Sequence, residues 1–176
     1  MTILVTYASK HGATMGIAEH IGARLRQLGQ DTVVLPTAVV VDAEVATYDA
    51  FVIGSATYNL HWMKEATQFV RRYRDTLAQR PVWLFSSGPL GAPDTYADKP
   101  DPRATLVPKE FPAFQAAIHP RDMRIFFGAL DPSQFGFPMR AFAKRMPTGD
   151  FRDWADIAAW AEEIGRVLAP TGATAS

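Results

Sequence analysis

The sequence predicts an α/β fold with a doubly wound, five-stranded parallel sheet. Short apolar runs alternate along the chain with segments whose apolar residues recur at helical spacing, which is the pattern of βαβ units. The runs are apolar throughout, as expected of strands that helices cover on both faces of a parallel sheet. Right-handed crossovers leave few topologies for five strands, and the strand order 2-1-3-4-5 suits a chain of this length.

The first half of the chain predicts three strands and two helices. The first strand ends at a polar turn that opens into a helix, and Gly29 is the stop signal of that helix. The third strand is almost wholly apolar, so we expect it at the centre of the sheet. A connection with a helical turn near residues 42–47 precedes it, and a polar and aromatic turn over residues 56–62 follows it. The predicted bounds are 2–7, 31–36 and 48–55 for the strands, and 13–28 and 62–78 for the helices.

The second half predicts two strands, two helices and an insertion. A turn rich in glycine and proline follows the fourth strand and leads into a longer proline-rich loop, up to about residue 107. Pro108 occupies a favourable early position of the next helix, and Trp154 opens the helical spacing of the last one. Between the fifth strand and the last helix, residues 129–150 form a polar and aromatic insertion with a short helix of its own. The predicted bounds are 81–86 and 124–128 for the strands, and 108–118 and 151–168 for the helices.

Composition and charge exclude several classes of protein. The 176 residues, 48% hydrophobic and 20% charged, fit one domain over residues 1–169, with a polar tail over residues 170–176 that we expect to be flexible. Equal numbers of basic and acidic residues, 18 of each, disfavour nucleic-acid binding. The absence of cysteine excludes disulfides, thiolate catalysis and iron–sulfur clusters. The four histidines are scattered, so we predict no metal site.

The turn after the first strand has the chemistry of an anion site. Free backbone N–H groups and the positive end of the following helix dipole converge there. Ser9, Thr14 and His11 add side-chain donors, and Gly12 lets the backbone come close to an anion. An ordinary polar turn with Thr14 near the helix cap is the alternative. The turn lacks G-x-G-x-x-G and GK[ST], which disfavours NAD and ATP as ligands. Its residues are Ser9, Lys10, His11, Gly12, Ala13 and Thr14.

Two further turns should meet the first one, because the carboxyl ends of the first, third and fourth strands share one edge of the sheet. The second turn includes Ala56, Thr57, Tyr58, Asn59 and Leu60, and the third includes Ser87, Gly88, Pro89 and Gly91. Glycine and proline in the third turn let backbone amides and carbonyls approach a ligand, although a plain turn has the same composition.

Five stretches of the chain resemble the flavodoxin family, and more narrowly the branch that includes menaquinone-dependent protoporphyrinogen oxidase. The first turn matches the phosphate loop of that family, except that His11 stands where a hydroxyl residue is usual. Nearly the full length is covered. The stretches are Tyr7-Ala8-Ser9-Lys10-His11-Gly12-Ala13-Thr14, Gly54-Ser55-Ala56-Thr57-Tyr58, Trp83-Leu84-Phe85-Ser86-Ser87-Gly88-Pro89, Phe127-Gly128-Ala129-Leu130-Asp131-Pro132 and Gly149-Asp150-Phe151-Arg152-Asp153-Trp154.

The resemblance implies that the chain binds FMN. The first turn would hold the phosphate, and the second and third turns would enclose the isoalloxazine ring. Tyr58 is the first choice for stacking on the ring and Trp62 the second. The alternative for Trp62 is packing in the core at the start of a helix.

The insertion distinguishes this chain from a minimal flavodoxin. Four apolar residues fall on one helical face, and three basic residues lie away from it. The segment is either a helix that covers the sheet edge or a loop, or a docking surface for an apolar, anionic partner. A porphyrinogen, a quinone at a membrane surface or a partner protein would each fit. The apolar residues are Phe135, Met139, Phe142 and Met146, and the basic ones are Arg140, Lys144 and Arg145.

The functional expectation is an FMN-dependent oxidoreductase, with no side chain assigned as catalytic because the flavin carries the chemistry. An electron-carrier flavodoxin and a flavin- or deazaflavin-binding interaction protein are the alternatives. We expect a cytoplasmic protein, because no apolar run approaches ~20 residues and no leader pattern precedes the first strand. Peripheral contact with the inner membrane face through residues 135–146 is compatible with this location, and the sequence does not determine the oligomeric state.

Overall fold

A computed structural model describes residues 1–88, 101–134 and 136–169, the side chains of Pro102, Gln134, Met139 and Phe142 excepted. Its strands are β1 (Thr2–Ala8), β2 (Asp31–Pro36), β3 (Ala50–Tyr58), β4 (His61–Trp62), β5 (Val82–Ser87), β6 (Asp122–Phe126), β7 (Ala129–Leu130) and β8 (Gly149–Asp150). Its helices are α1 (Ala13–Gln27), α2 (Asp42–Val45), α3 (Lys64–Arg72), α4 (Arg74–Leu77), α5 (Pro102–Thr105), α6 (Phe111–Ile118), α7 (Met139–Ala143) and α8 (Trp154–Leu168). The predicted tail over residues 170–176 lies outside the described residues, as do Pro89, Gly91 and Phe135.

The main sheet has the predicted topology. Five parallel strands run in the order β2-β1-β3-β5-β6, which is the predicted order 2-1-3-4-5 once the short β4 is set aside. β3 is central, as its uniform apolarity predicts. The carboxyl ends of β1, β3 and β5 therefore lie side by side at one edge of the sheet.

Both faces of the sheet are buried. One apolar cluster joins β1, β3 and β5 to α1 and α8, with Phe85, Phe126 and Trp160 at its centre. The other joins the opposite face to α3, α4 and α6 and includes Trp62 and Phe111. These two layers hold the strand ends, and the loops that follow them, on a rigid base.

The predicted turn at residues 56–62 is wrong, because the segment is a β-hairpin. β3 continues to Tyr58 and pairs with β4, so that Tyr58 faces His61 and Thr57 faces Trp62. The helix predicted from residue 62 accordingly begins at Lys64. It is interrupted at Tyr73, whose φ of −104° and ψ of 17° separate α3 from α4.

Other elements shift by a few residues for reasons that the contacts show. β6 begins at Asp122, before the predicted residue 124, because Asp122 already pairs with Trp83 of β5. α8 begins at Trp154 because the carboxylate of Asp153 accepts hydrogen bonds from two backbone N–H groups of the first turn, at 3.0 Å each. α6 begins at Phe111, after the predicted residue 108, and the short α5 lies in the region predicted as a loop.

The insertion has a base of two antiparallel strands. Ala129 of β7 pairs with Asp150 of β8, and Leu130 pairs with Gly149. The predicted short helix is present as α7, and a 3₁₀ turn precedes it. Of the four residues predicted on one apolar helical face, the structure describes the side chain of Met146. Within the described ranges, no helix is both long enough and apolar enough to cross a bilayer.

Candidate functional site

The three turns meet in a cavity of about 430 Å³ at the carboxyl edge of the sheet. This convergence was predicted from the topology, and it places ten of the predicted residues around one space. Which of them contact the cofactor stays a prediction. The ten are Ser9, His11, Ala13, Thr14, Ala56, Thr57, Tyr58, Asn59, Ser87 and Gly88.

The first turn is shaped for close backbone approach. Gly12 has φ +83°, a left-handed conformation that other residues adopt with strain, and its N–H donates to the Ser9 Oγ at 3.1 Å. α1 begins at the next residue, Ala13, and has no acidic residue in its first turn. The positive end of its dipole is therefore not offset by a carboxylate of its own first turn. Lys10 is exposed and does not line the cavity.

A buried pair of hydroxyl groups forms part of the cavity wall. Thr14 Oγ1 and Ser87 Oγ lie 2.8 Å apart, and either oxygen can be the donor. Each hydroxyl has one hydrogen, so the hydrogen that this bond does not use stays available to an anionic ligand. Thr14 thus joins the first turn to the third.

His11 lines the cavity as a polar group. Burial, and then the neighbouring charge of Lys10, lower the pKa of its imidazole below the ordinary value. The ring is therefore neutral near pH 7 and presents one N–H donor.

The hairpin after β3 brings Tyr58 to the cavity. This residue is 46% exposed, and its partial burial raises the pKa of its phenol, so the side chain is uncharged at neutral pH. Asn59 and Leu60 form the hairpin turn with φ of 51° and 66°. Asn59 lines the main cavity, whereas Leu60 lines a smaller neighbouring cavity of about 280 Å³.

The hairpin is anchored to the loop before α6. The carbonyl of Leu60 accepts from the N–H of Lys109 at 2.8 Å. Glu110 accepts from the Nδ1 position of His61 at 2.7 Å and from the N–H of Trp62 at 3.1 Å. These contacts fix the segment that carries Tyr58.

Trp62 packs in the core and does not line the cavity. It is 4% exposed, lies edge-on to Phe111 with ring centroids 5.6 Å apart, and donates its indole N–H to Ser86 Oγ at 2.6 Å. The structure therefore favours the packing interpretation of Trp62 over ring stacking. Ser86 also lies 3.0 Å from Thr57 Oγ1, so that its hydroxyl connects the second and third turns.

The third turn approaches the second closely. A Cβ atom added at Gly88 would lie 3.3 Å from Cβ of Thr57, which is tight for any larger residue. Ser87 and Gly88 line the cavity. Pro89 and Gly91, predicted to continue this wall, lie outside the described residues.

The insertion adds a wall that the sequence did not predict residue by residue. It contributes Ala129, Leu130, Ala143 and Met146, and Gly128 lies just before it. Ala143 is buried. The apolar helical spacing of the segment was the available signal, but spacing does not reveal which surface a helix covers.

A second cavity of about 590 Å³ adjoins the first near the start of α1. The two share His11, Ala13, Ala129 and Leu130. The base of the insertion adds Thr148, Gly149 and Asp150, and the segment before α8 adds Arg152. In the described part of the chain, no group of three or more histidine and acidic side chains lies close enough to hold a metal ion.

These features define a doubly wound α/β protein with a cavity where the strand order reverses, between β1 and β3, the usual place for a mononucleotide in this class. The chain belongs to the flavodoxin domain family, whose model matches residues 4–148. FMN is the cofactor of this domain. The residues present fit it, because N–H and hydroxyl groups of the first turn and the aromatic side chain of Tyr58 line the same cavity.

Solved structures share the fold over almost the whole chain. A flavodoxin from the domain Archaea is 19% identical with a TM-score of 0.54, over 92% of this chain and 99% of that one. A cysteine-to-serine mutant of the Pseudomonas aeruginosa flavodoxin is 18% identical with a TM-score of 0.61, over 97% and 100%. The rubredoxin oxygen:oxidoreductase of Desulfovibrio gigas is 12% identical with a TM-score of 0.63, over 95% of this chain and 36% of that one. No curated protein matches the sequence.

Proposed function

We propose that this protein is an FMN-dependent oxidoreductase that takes electrons from a porphyrinogen-like donor and passes them to a quinone. The observation that carries the proposal is the wall added by the insertion. Leu130, Ala143 and Met146 extend the flavin cavity with apolar surface beside the three turns. Apolar lining of this kind suits a flat, hydrophobic reactant next to the flavin.

The bound flavin supplies the redox chemistry, and the protein binds, orients and shields it. The first turn would bind the phosphate through backbone N–H groups at the start of α1. Tyr58 would stack on the ring, and Met146 would limit the access of water. Electrons balance when each two-electron oxidation of the donor reduces one quinone to its quinol. No lining side chain is assigned as catalytic.

The outer surface of the insertion supports contact with an anionic membrane, where a quinone would be found. Phe137 is 91% exposed, and Arg140, Lys144 and Arg145 are exposed close to it in the chain. Basic side chains around an exposed aromatic ring are typical of segments that bind membrane surfaces. The protein would then be cytoplasmic, with peripheral contact at the inner membrane face.

An electron carrier is the second candidate. The fold matches two flavodoxins over 99% and 100% of their lengths, so that most of the chain has a counterpart in proteins of that kind. In this case a protein partner would dock beside the cavity, and no small substrate would turn over.

Anaerobic turnover separates the two candidates. The FMN-loaded protein is mixed with protoporphyrinogen and a menaquinone analogue, and porphyrin formation is followed by fluorescence. The enzyme hypothesis predicts many turnovers per flavin, and no turnover in the cofactor-free control. If the bound flavin can be reduced chemically but does not turn over with this pair, the enzyme hypothesis fails and the electron-carrier hypothesis remains.

A further inference from the structure

Arg152 lies against the first turn of α1, although it comes from the segment before α8. Its Nη1 donates to the carbonyl oxygen of Ala13 at 3.2 Å. A Cβ atom added at Gly16 would lie 2.5 Å from the same Nη1, so the glycine leaves space for the guanidinium. The guanidinium carbon also lies 4.4 Å from the centroid of the Trp154 ring, a cation–π contact.

Asp150 fixes the orientation of this guanidinium. Its carboxylate accepts from Arg152 Nε at 2.8 Å and from Nη2 at 2.6 Å, and it also accepts from the Arg152 backbone N–H at 3.1 Å. These hydrogen bonds hold the pKa of the Asp150 carboxyl below its ordinary value. The Arg152 side chain is 17% exposed and that of Asp150 is 46% exposed, so water screens the carboxylate more than the guanidinium.

The guanidinium and the phosphate-binding turn line the same second cavity. Its lining includes His11, Gly12 and Ala13 together with Arg152. A guanidinium has five N–H groups, and the contacts to Asp150 and Ala13 engage three of them. One N–H on each terminal nitrogen is left for another acceptor.

We propose that Arg152 is a further binding residue for the phosphate of FMN, acting from outside the phosphate loop. The inference rests on FMN binding at the first turn. The phosphate carries up to two negative charges at the start of a helix whose first turn has no carboxylate. A partly buried cation beside that turn lowers the cost of burying those charges.

The competing role for Arg152 is structural, in which it only joins the base of the insertion to α1. Comparing FMN with riboflavin separates the roles, because riboflavin lacks the phosphate. A structural role predicts that loss of Arg152 weakens the binding of both ligands equally. The proposed role predicts a loss confined to FMN.

The experiment measures dissociation constants of FMN and riboflavin by flavin fluorescence for the full chain and three variants. In R152Q and R152M, the FMN dissociation constant is expected to rise about tenfold and that of riboflavin less than twofold. R152M keeps an unbranched, uncharged side chain at this position and is the second variant in case R152Q does not fold. R24Q is the matched control, because Arg24 bonds Glu162 of α8 from the opposite end of α1.

Equal weakening of both ligands, or an unchanged FMN constant, would overturn the role of Arg152. A loss of FMN binding in R24Q as large as in R152Q would do the same, because general charge loss would then explain both. If the unmutated protein takes up neither flavin, the cofactor assignment fails rather than the role of Arg152.

Discussion

The hydroxyl oxygens of Thr14 and Ser87 lie 2.8 Å apart inside the protein, and they join two turns that are 73 residues apart in sequence. Thr14 is the second residue of α1, and Ser87 ends β5. Both side chains are almost fully buried, and both line the flavin cavity. This bond therefore ties the first turn to the third, and we expect it to link stability to cofactor binding.

Replacing Thr14 by valine should destabilise the cofactor-free protein by about 1–3 kcal/mol, because Ser87 would lose its buried partner. FMN binding should weaken as well, since one hydroxyl of the phosphate end is removed. Urea denaturation and an FMN titration measure the two effects. Stability equal to that of the unmutated protein would show that the bond between Thr14 and Ser87 contributes nothing.

Thr6 provides the matched contrast. Its hydroxyl is buried in β1 and has no hydrogen-bond partner among the described residues. Valine has nearly the same shape and removes the unsatisfied oxygen, so Thr6→Val should leave stability unchanged or raise it by about 1 kcal/mol. Urea denaturation measures this effect as well. A loss of stability as large as that of T14V would show that the Thr6 hydroxyl does have a hydrogen-bond partner.

Tyr58 should contribute to flavin affinity through its ring. We expect Tyr58→Ala to weaken FMN and riboflavin by a similar factor, about tenfold, because stacking involves the isoalloxazine that both share. Tyr58→Phe keeps the ring and is the control, with affinity close to that of the unmutated protein. An effect on FMN alone would indicate contact with the phosphate instead.

The anchor of the hairpin should make stability depend on pH. Burial opposes the charge of Glu110, but hydrogen bonds from His61 and from the Trp62 N–H outweigh burial and lower the pKa of this carboxyl below its ordinary value of 4.5. A carboxyl with a lowered folded-state pKa adds stability above its unfolded-state pKa. That stability is lost as the pH falls through the lower, folded-state value.

Glu110→Gln should therefore show a smaller loss of stability than the unmutated protein as the pH falls below about 4.5. Urea midpoints across the acidic range measure the slope. Glu19→Gln, at an exposed position of α1, is the control and should keep the slope of the unmutated protein. If the stability of E110Q depends on pH as steeply as that of the unmutated protein, Glu110 does not contribute to the pH dependence.

The basic residues of the insertion should favour anionic vesicles. R140Q/K144Q/R145Q is expected to reduce co-sedimentation with phosphatidylserine vesicles several-fold, at about 1 kcal/mol per contacting basic residue. K64Q/R71Q/R80Q removes the same number of exposed charges elsewhere and should bind as before. Equal losses in the two triple variants would show a general charge effect without a membrane-facing surface.

The sheet was predictable from the sequence because each apolar run has the length of a strand, and each connection contains residues typical of turns. The hairpin at Tyr58 was missed because Asn59 and Leu60 lack the glycine that marks a tight hairpin turn. Its left-handed backbone is held by distant contacts, such as Lys109 to Leu60, that a local pattern does not encode.

Part of the candidate site was predictable from the sequence, and part of it was not. The three turns were predictable because parallel strands end at one edge, so topology alone brings them together. Arg152 lies within a stretch that resembles the flavodoxin family, but its contact with α1 is not predictable from that stretch, because its partner Ala13 lies 139 residues away. The wall formed by Ala143 and Met146 depends on how the insertion folds back, which helical spacing leaves undetermined.

Titration of the purified, flavin-free protein with FMN is the decisive measurement for binding of a flavin in this cavity. Flavin fluorescence and visible absorption report uptake, and the riboflavin titration reports the contribution of the phosphate. We predict saturation at one FMN per chain, with riboflavin bound more weakly. Absence of FMN uptake, in a protein that circular dichroism shows to be folded, would contradict the assignment of this cavity to a flavin.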